Sequence, residues 1–149
     1  SGREEEREDI KQALIKQTVL WYIIKNLDQS KRNWAIRKGN KGIRLAPNYD
    51  YDFCLDAVED GAEYTRVNDE NIEEIVNKYR KLQWFRKWLE ESVFKLHIQA
   101  CFLDGKRLLP GKYESIYDEY TQNSTNVIRN RINRIQEICM NVPIEPDIC

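Results

Sequence analysis

One stretch of this 149-residue chain alternates apolar and polar side chains in the way that is typical of β-strands. The stretch, WAIRKGNKGIRLAP, contains two short alternating runs, Trp34 to Arg37 and Gly42 to Ala46, joined by Lys38-Gly39-Asn40-Lys41. Glycine and asparagine tolerate the positive φ angles of tight turns, and Pro47 ends the second run because proline cannot donate to a strand ladder. The sequence therefore predicts a β-hairpin here.

Apolar residues at helical spacing occupy most of the remaining sequence. They predict a first helix over Glu4 to Asn26, and a second that begins after Asn68 or Asp69, either of which can cap it. A third helix is predicted over the apolar face from Trp84 to Ala100, and a fourth over Glu114 to Met140, followed by an irregular tail. The predicted fold class is mainly α with one small β-hairpin, in a single domain covering residues 1–149.

Composition excludes several functional classes. No apolar run approaches the roughly 18 residues that a membrane span needs. The four cysteines are irregularly spaced, without a Cys-x-x-Cys pair, and the only histidine is His97, so the sequence offers no zinc-ligand set. We interpret the cysteines as reduced thiols in a cytoplasmic protein, and His97 as a histidine packed in the core of the third helix.

Charge is divided sharply along the chain, although the net charge is only −1. From Lys25 to Arg44 the sequence is basic, and from Asp50 to Glu74 it is acidic. The basic side chains are interpreted either as a solvated hairpin surface or as contacts to the phosphates of ATP or of a nucleic acid: Lys31, Arg32, Arg37, Lys38, Lys41 and Arg44. Direct nucleic-acid binding is the weaker hypothesis, because the rest of the chain would repel phosphate.

Asp28 and Asn33 stand where the first helix is predicted to end, and Asp50 follows the hairpin. One interpretation is turn chemistry, in which Asp and Asn side chains bond to the backbone. The other is a phosphate-transfer site. Phosphoryl transfer requires a group that accepts the hydrogen bond of the attacking hydroxyl, a role that Asp28 can fill. It also requires oxygen ligands for Mg²⁺, which Asn33 and Asp50 can supply once the hairpin brings them together.

These segments resemble the HipA-like serine/threonine kinases. The catalytic loop of that family reads roughly Gly-Asn-x-Asp-x-His-x-Lys-Asn, and this chain has Lys25-Asn26-Leu27-Asp28-Gln29-Ser30-Lys31-Arg32-Asn33. The metal-binding segment of the family reads Leu-x-Pro-x-Tyr-Asp, and this chain has Leu45-Ala46-Pro47-Asn48-Tyr49-Asp50. Ser30 stands where the family commonly has histidine, and Lys25 where it has glycine. The specific resemblance covers about Trp21 to Tyr51.

The resemblance implies a helical C-terminal kinase lobe whose hairpin carries the catalytic and metal-binding loops. Asp28 would be the catalytic base, Asn33 and Asp50 the Mg²⁺ ligands, and Lys31 and Arg32 contacts to ATP. The substrate would be a protein hydroxyl, and an antitoxin-type protein a possible further partner. The β-rich N-lobe of such a kinase is not recognisable in this sequence, so this chain alone is expected to be inactive. The alternative is a non-catalytic, pseudokinase-like helical domain that binds another protein.

Overall fold

The computed structural model describes residues 2–25, 35–40, 42–46, 68–98, 102 and 106–146. The chain divides into two compact units, Ser1–Ile72 and Glu73–Cys149, and each is described by itself. The described residues are mostly helical with one two-stranded antiparallel hairpin, so the predicted mainly-α class is confirmed. No helix in these ranges is long and apolar enough to cross a membrane.

Helix α1 of the first unit spans Gly2–Ile23. Glu4 and Glu5 lie in its first turn, where the helix dipole favours negative charge. Buried side chains lie on several sides of its last two turns: Gln17, Val19, Trp21, Tyr22 and Ile23. The helix ends three residues before the predicted Asn26, because Lys25 takes a left-handed conformation with φ 48° and its N–H donates to the carbonyl of Tyr22 at 3.1 Å.

The predicted hairpin is confirmed, with shifted strand ends. Strand β1 spans Ile36–Gly39 and strand β2 spans Gly42–Leu45, and the two pair antiparallel. The backbone N–H of Ala46 donates to the carbonyl of Ala35 at 2.8 Å, which extends the pairing by one residue on each strand. The connection is shorter than predicted because Gly39 pairs with Gly42, so Lys38 and Gly39 belong to the strand. Trp34 lies outside the described residues.

Helix α2 spans Asp69–Tyr79, and its beginning belongs to the first unit while the remainder belongs to the second. Of the two predicted caps, Asn68 fills the role. Its side-chain oxygen accepts a hydrogen bond from the N–H of Asn71 at 2.9 Å, and its carbonyl accepts the N–H of Ile72 at 3.0 Å. The charged residues Asp69 and Glu70 follow in the first turn.

Helix α3 of the second unit spans Gln83–Trp88 and continues as a π-helical turn over Leu89–Val93. The Phe94 N–H donates to the carbonyl of Leu89 at 2.8 Å, the five-residue step of a π-helix. The predicted third helix is therefore confirmed up to Val93, but residues 94–97 are not helical, and Ala100 lies outside the described residues. His97 is exposed, not packed in the core, because the chain has already left the helix before it.

Helix α4 spans Glu114–Cys139 and follows a 3₁₀ turn at Gly111–Tyr113, in agreement with the predicted Glu114 to Met140. Its buried residues recur at three and four positions, and with residues from α2 and α3 they form the core of the second unit: Val76, Phe85, Leu89, Val93, Ile128, Ile132, Ile135 and Cys139. Rings of Tyr79, Trp84, Phe85 and Trp88 lie 5.5 to 6.1 Å apart between centroids.

Candidate functional site

The five residues predicted to carry chemistry lie outside the described residues: Asp28, Lys31, Arg32, Asn33 and Asp50. Their predicted roles therefore remain predictions. The structure does describe the elements that adjoin them in sequence, which are the end of α1, the hairpin and the start of α2.

A hydrogen bond joins the end of α1 to the start of α2 within the first unit. The hydroxyl of Tyr22 donates to a carboxylate oxygen of Asp69 at 2.6 Å. Tyr22 is 1% exposed, so most of its ring is in the interior of the unit while its hydroxyl reaches the carboxylate. A bond this short is typical of hydrogen bonds to an ionised acceptor.

The Gln17 side chain is a second polar group in this interior. It is 3% exposed, and neither its amide nitrogen nor its amide oxygen has a hydrogen-bond partner among the described residues. Buried amides are normally hydrogen-bonded, since burying one without a partner costs about 1–3 kcal/mol by mutational data. Gln17 is therefore a local weakness in the packing of α1.

The hairpin places two arginines directly opposite each other. Arg37 pairs with Arg44, and the next pair on the same face is Gly39 with Gly42. The side chains of directly opposed residues have Cβ atoms about 4.5–5.5 Å apart, and like charges in such a pair destabilise a hairpin. Both arginines are exposed, and no ion pair joins either of them to a carboxylate among the described residues.

One carboxylate does reach the hairpin, beside Gly42. A Cβ atom at Gly42 would collide with the carboxylate of Glu6 from α1, so the close approach requires a glycine. Gly42 also has φ +94°, a conformation that other residues rarely adopt. At Gly39, in contrast, a Cβ atom would meet nothing within 4 Å. In this pair, Gly42 is therefore covered by the Glu6 carboxylate, and the space beside Gly39 is open.

A cavity of about 550 Å³ lies in the second unit between the π-helical turn and the end of α4. Cys139 lines it together with Arg86, Glu90, Phe94 and Met140, among others. Burial raises the pKa of the Cys139 thiol, an effect that the nearby positive charges of Arg86 and Arg80 oppose. The thiol is free but buried, so it lacks the exposed, thiolate-favouring surroundings of a reactive cysteine.

Two arginines bind the chain that follows α4. Arg80 donates from Nη1 to the carbonyl of Ile138 at 2.7 Å, and Arg86 donates from Nη1 to the carbonyl of Val142 at 3.0 Å. Between these acceptors the chain makes a type II turn, with Met140 at φ −62° and ψ 136° and Asn141 at φ 61°. Leu82 and Glu145 then form a parallel bridge. These arginines stabilise the fold of the unit.

At the other end of α4, Lys106 lies between two carboxylates. Its Nζ is 2.9 Å from Glu114 Oε1 and 2.9 Å from Asp118 Oδ1. The pKa of Lys106 is raised above its ordinary value, first by the hydrogen bond to Asp118 and then by the one to Glu114. Large exposed apolar side chains surround this cluster in sequence: Leu108, Leu109, Tyr113, Ile116 and Tyr120.

The arginine contacts to the tail and the Lys106 cluster were not predicted from the sequence. The carbonyls that Arg80 and Arg86 bind lie 58 and 56 positions away, and a backbone acceptor leaves no mark on residue type. For the Lys106 cluster the sequence does contain a signal: Glu114 and Asp118 are four positions apart, so they form an acidic pair on one face of α4.

Among the described residues, no group of three or more His, Cys, Asp or Glu side chains is placed to hold a metal ion. None of the protein-family models, curated proteins or solved structures compared with this chain matches it. The assignment of the site residues therefore depends on their sequence motifs alone.

Proposed function

We propose that this chain is the C-terminal lobe of a HipA-like protein kinase, which transfers the γ-phosphate of ATP to a serine or threonine hydroxyl of a protein. In this proposal Asp28 accepts the hydrogen bond of the attacking hydroxyl and takes its proton as the bond to phosphorus forms. Asn33 and Asp50 hold Mg²⁺, and Lys31 and Arg32 contact the phosphates of ATP. An N-lobe completes the ATP site, so this chain acts only together with one.

The observation that carries the proposal is the hairpin that separates the two motif segments. Its ladder extends to the hydrogen bond between Ala35 and Ala46, so the described ends of the hairpin are neighbours. Asn33 lies two positions before Ala35, and Asp50 lies four positions after Ala46. Segments that enter and leave an antiparallel pair begin as neighbours in space, which favours a shared ligand for Asn33 and Asp50.

The chemistry of the donor set also supports the proposal. Mg²⁺ prefers oxygen ligands and commonly uses one or two protein groups together with substrate phosphates and water. Asn33 offers an amide oxygen and Asp50 a carboxylate, which is such a set. Bound Mg²⁺ would neutralise the charge on the phosphates, and Asp28 would orient the attacking hydroxyl.

The first test measures metal binding by this chain. Mn²⁺ replaces Mg²⁺ as an ion that is visible by electron paramagnetic resonance, with ATP present. We expect Asn33→Ala and Asp50→Asn to weaken Mn²⁺ binding by about tenfold or more, since each removes a direct ligand. Asp52→Asn is the control, because it removes the same charge two positions from Asp50. Equal effects of Asp50→Asn and Asp52→Asn would contradict the assigned ligands.

The second test measures phosphate transfer by this chain joined to its N-lobe, with γ-labelled ATP. We expect Asp28→Asn to reduce transfer by about 100-fold or more, within the usual contribution of a positioned base. Asp56→Asn serves as the control. Undiminished transfer in Asp28→Asn would remove Asp28 from the mechanism.

A non-catalytic interaction domain is the second candidate, and one observation favours it. Tyr113, Ile116 and Tyr120 recur at three and four positions at the start of α4, and each is at least 43% exposed. An exposed apolar stripe of this kind often contacts another protein. Under this hypothesis the variant Ile116→Ser changes the association behaviour of the chain in sedimentation measurements, while the Mn²⁺ tests show no site.

A further inference from the structure

The hairpin exposes two arginines that form no ion pair with a carboxylate of the described residues, although the Glu6 carboxylate lies beside Gly42 on the same face. Arg37 and Arg44 are directly opposed, and their repulsion weakens the hairpin that carries them. Threonine or a β-branched apolar residue at either position would favour the strands without this repulsion. A destabilising arrangement of this kind is understandable if the two guanidinium groups bind a common anion.

The same face also has room for such an anion. A cavity of about 310 Å³ is lined by Arg37, Lys38, Gly39, Asn40, Gly42 and Arg44. Of the lining residues that the structure describes, Arg37 and Arg44 carry positive charge on this face, and Lys38 belongs to the opposite face of the strand. Gly39 and Gly42 have no side chains to fill the space next to the arginines, and the position beside Gly39 is open.

The volume and the type of donor limit the ligand. A cavity of 310 Å³ is near the lower end of the range for ligand pockets, which is about 300–1,000 Å³. It suits a phosphate or diphosphate group better than a whole nucleotide. Planar guanidinium groups bind phosphate oxygens through paired hydrogen bonds, which gives two adjacent arginines a preference for this anion.

We propose that the hairpin face formed by Arg37, Arg44 and the Gly39–Gly42 pair binds a phosphate or diphosphate group, either free or as part of a nucleotide. The two guanidinium groups hold the anion, and the glycine pair lets it approach the backbone. Glu6, which reaches Gly42 from α1, places one negative charge next to the site and limits its affinity. The proposal goes beyond phosphate transfer and does not depend on Asp28, Asn33 or Asp50.

The experiment titrates the chain with pyrophosphate at low salt, by calorimetry and by the NMR shifts of the Gly39, Asn40 and Gly42 amides. We expect Arg37→Thr and Arg44→Thr each to weaken binding by about tenfold, since a hydrogen bond to a charged group contributes that much. Arg129→Gln, which removes an exposed positive charge from α4, is the control and should change binding by less than about twofold.

Two further variants separate a built site from general attraction to positive charge. Gly39→Val places a strand-favouring side chain in the open space, so it should keep the hairpin and block pyrophosphate. Glu6→Gln removes the opposing charge and should strengthen binding several-fold. The threonine variants should also be no less stable than the parent chain in thermal unfolding, because they remove the repulsion between the arginines.

Three results would overturn the proposal. Failure of the parent chain to bind pyrophosphate, or equal weakening by Arg129→Gln and the two threonine variants, would overturn it. Tighter binding to duplex DNA than to pyrophosphate, lost in the same arginine variants, would also overturn it in favour of a nucleic-acid surface. Comparison of ADP with pyrophosphate identifies the source of the group: equal affinity indicates a nucleotide, and weaker binding of ADP indicates a free anion.

Discussion

The hydroxyl of Tyr22 donates a 2.6 Å hydrogen bond to Asp69, which lies 47 positions further along the chain. The bond ties the last turn of α1 to the first turn of α2. Between these two residues in sequence lie the hairpin and all five residues of the proposed kinase site. The pair therefore fixes the two ends of the segment on which the proposed chemistry depends.

We predict that Tyr22→Phe lowers the free energy of unfolding by about 1.5–3 kcal/mol, the usual contribution of a hydrogen bond to a charged group. The ring remains, so the loss reports the hydroxyl alone. Urea unfolding followed by tryptophan fluorescence measures it. Tyr113→Phe is the matched control, because Tyr113 is 44% exposed and its hydroxyl should contribute little. Equal stability of the two variants would contradict a structural role for the Tyr22–Asp69 bond.

Gln17 leads to a prediction of opposite sign. No residue in the described ranges bonds to its buried amide, so replacing the glutamine with an apolar side chain of similar length removes a desolvation cost. We expect Gln17→Met to raise the free energy of unfolding by about 1–2 kcal/mol. Gln12→Met, on a half-buried part of the same helix, should change it little. A less stable Gln17→Met chain would mean that the amide is satisfied by an ordered water or a ligand.

Local signals in the sequence predicted the parts of the fold that local chemistry controls. Asn68 caps α2 because its side chain reaches the N–H of Asn71, a contact fixed by spacing alone. The hairpin follows from alternating residues around a Gly-Asn turn. Its exact connection was not predicted, since the pairing of Gly39 with Gly42 places Lys38 and Gly39 in the strand.

The errors came where tertiary packing overrides periodicity. Leu96 fits the helical spacing of the third segment, yet it is 46% exposed because the π-helical turn at Leu89–Val93 changes the register before the helix ends. Ile116 likewise continues the apolar face of α4 but is 67% exposed, beyond the buried part of that helix. The predicted site residues were identified by motif, since neither helical periodicity nor strand alternation marks a residue that binds a metal ion or a phosphate.

Arg86 is predicted to stabilise the second unit through the chain that follows α4. Its Nη1 donates to the carbonyls of Val142 at 3.0 Å and Arg80 at 3.3 Å, and its side chain is 14% exposed. We expect Arg86→Met to cost about 2 kcal/mol, because two carbonyls lose a charged donor. The neighbouring Lys87→Met is the control, since Lys87 is 67% exposed. Faster proteolysis near Val142 in Arg86→Met, absent in Lys87→Met, would identify the released segment.

Lys106 gives the protein a pH-dependent contribution to stability at high pH. Asp118 first, and then Glu114, raise the pKa of this lysine above its ordinary value of 10.5 in the folded state. A raised pKa means that the folded state binds the proton more tightly, so the contribution is fully present below pH 10.5 and is lost as pH rises through the folded pKa. Near neutral pH, Lys106→Gln should therefore unfold at a lower urea concentration than the parent chain. The difference between the two midpoints should shrink as the pH rises above 10.5.

The chemical shift of the Lys106 side chain measures its pKa directly, and Asp118→Asn should return this pKa towards the ordinary value. A Lys106 side chain that titrates at the ordinary lysine value of 10.5 would show that the two carboxylates do not hold it in solution.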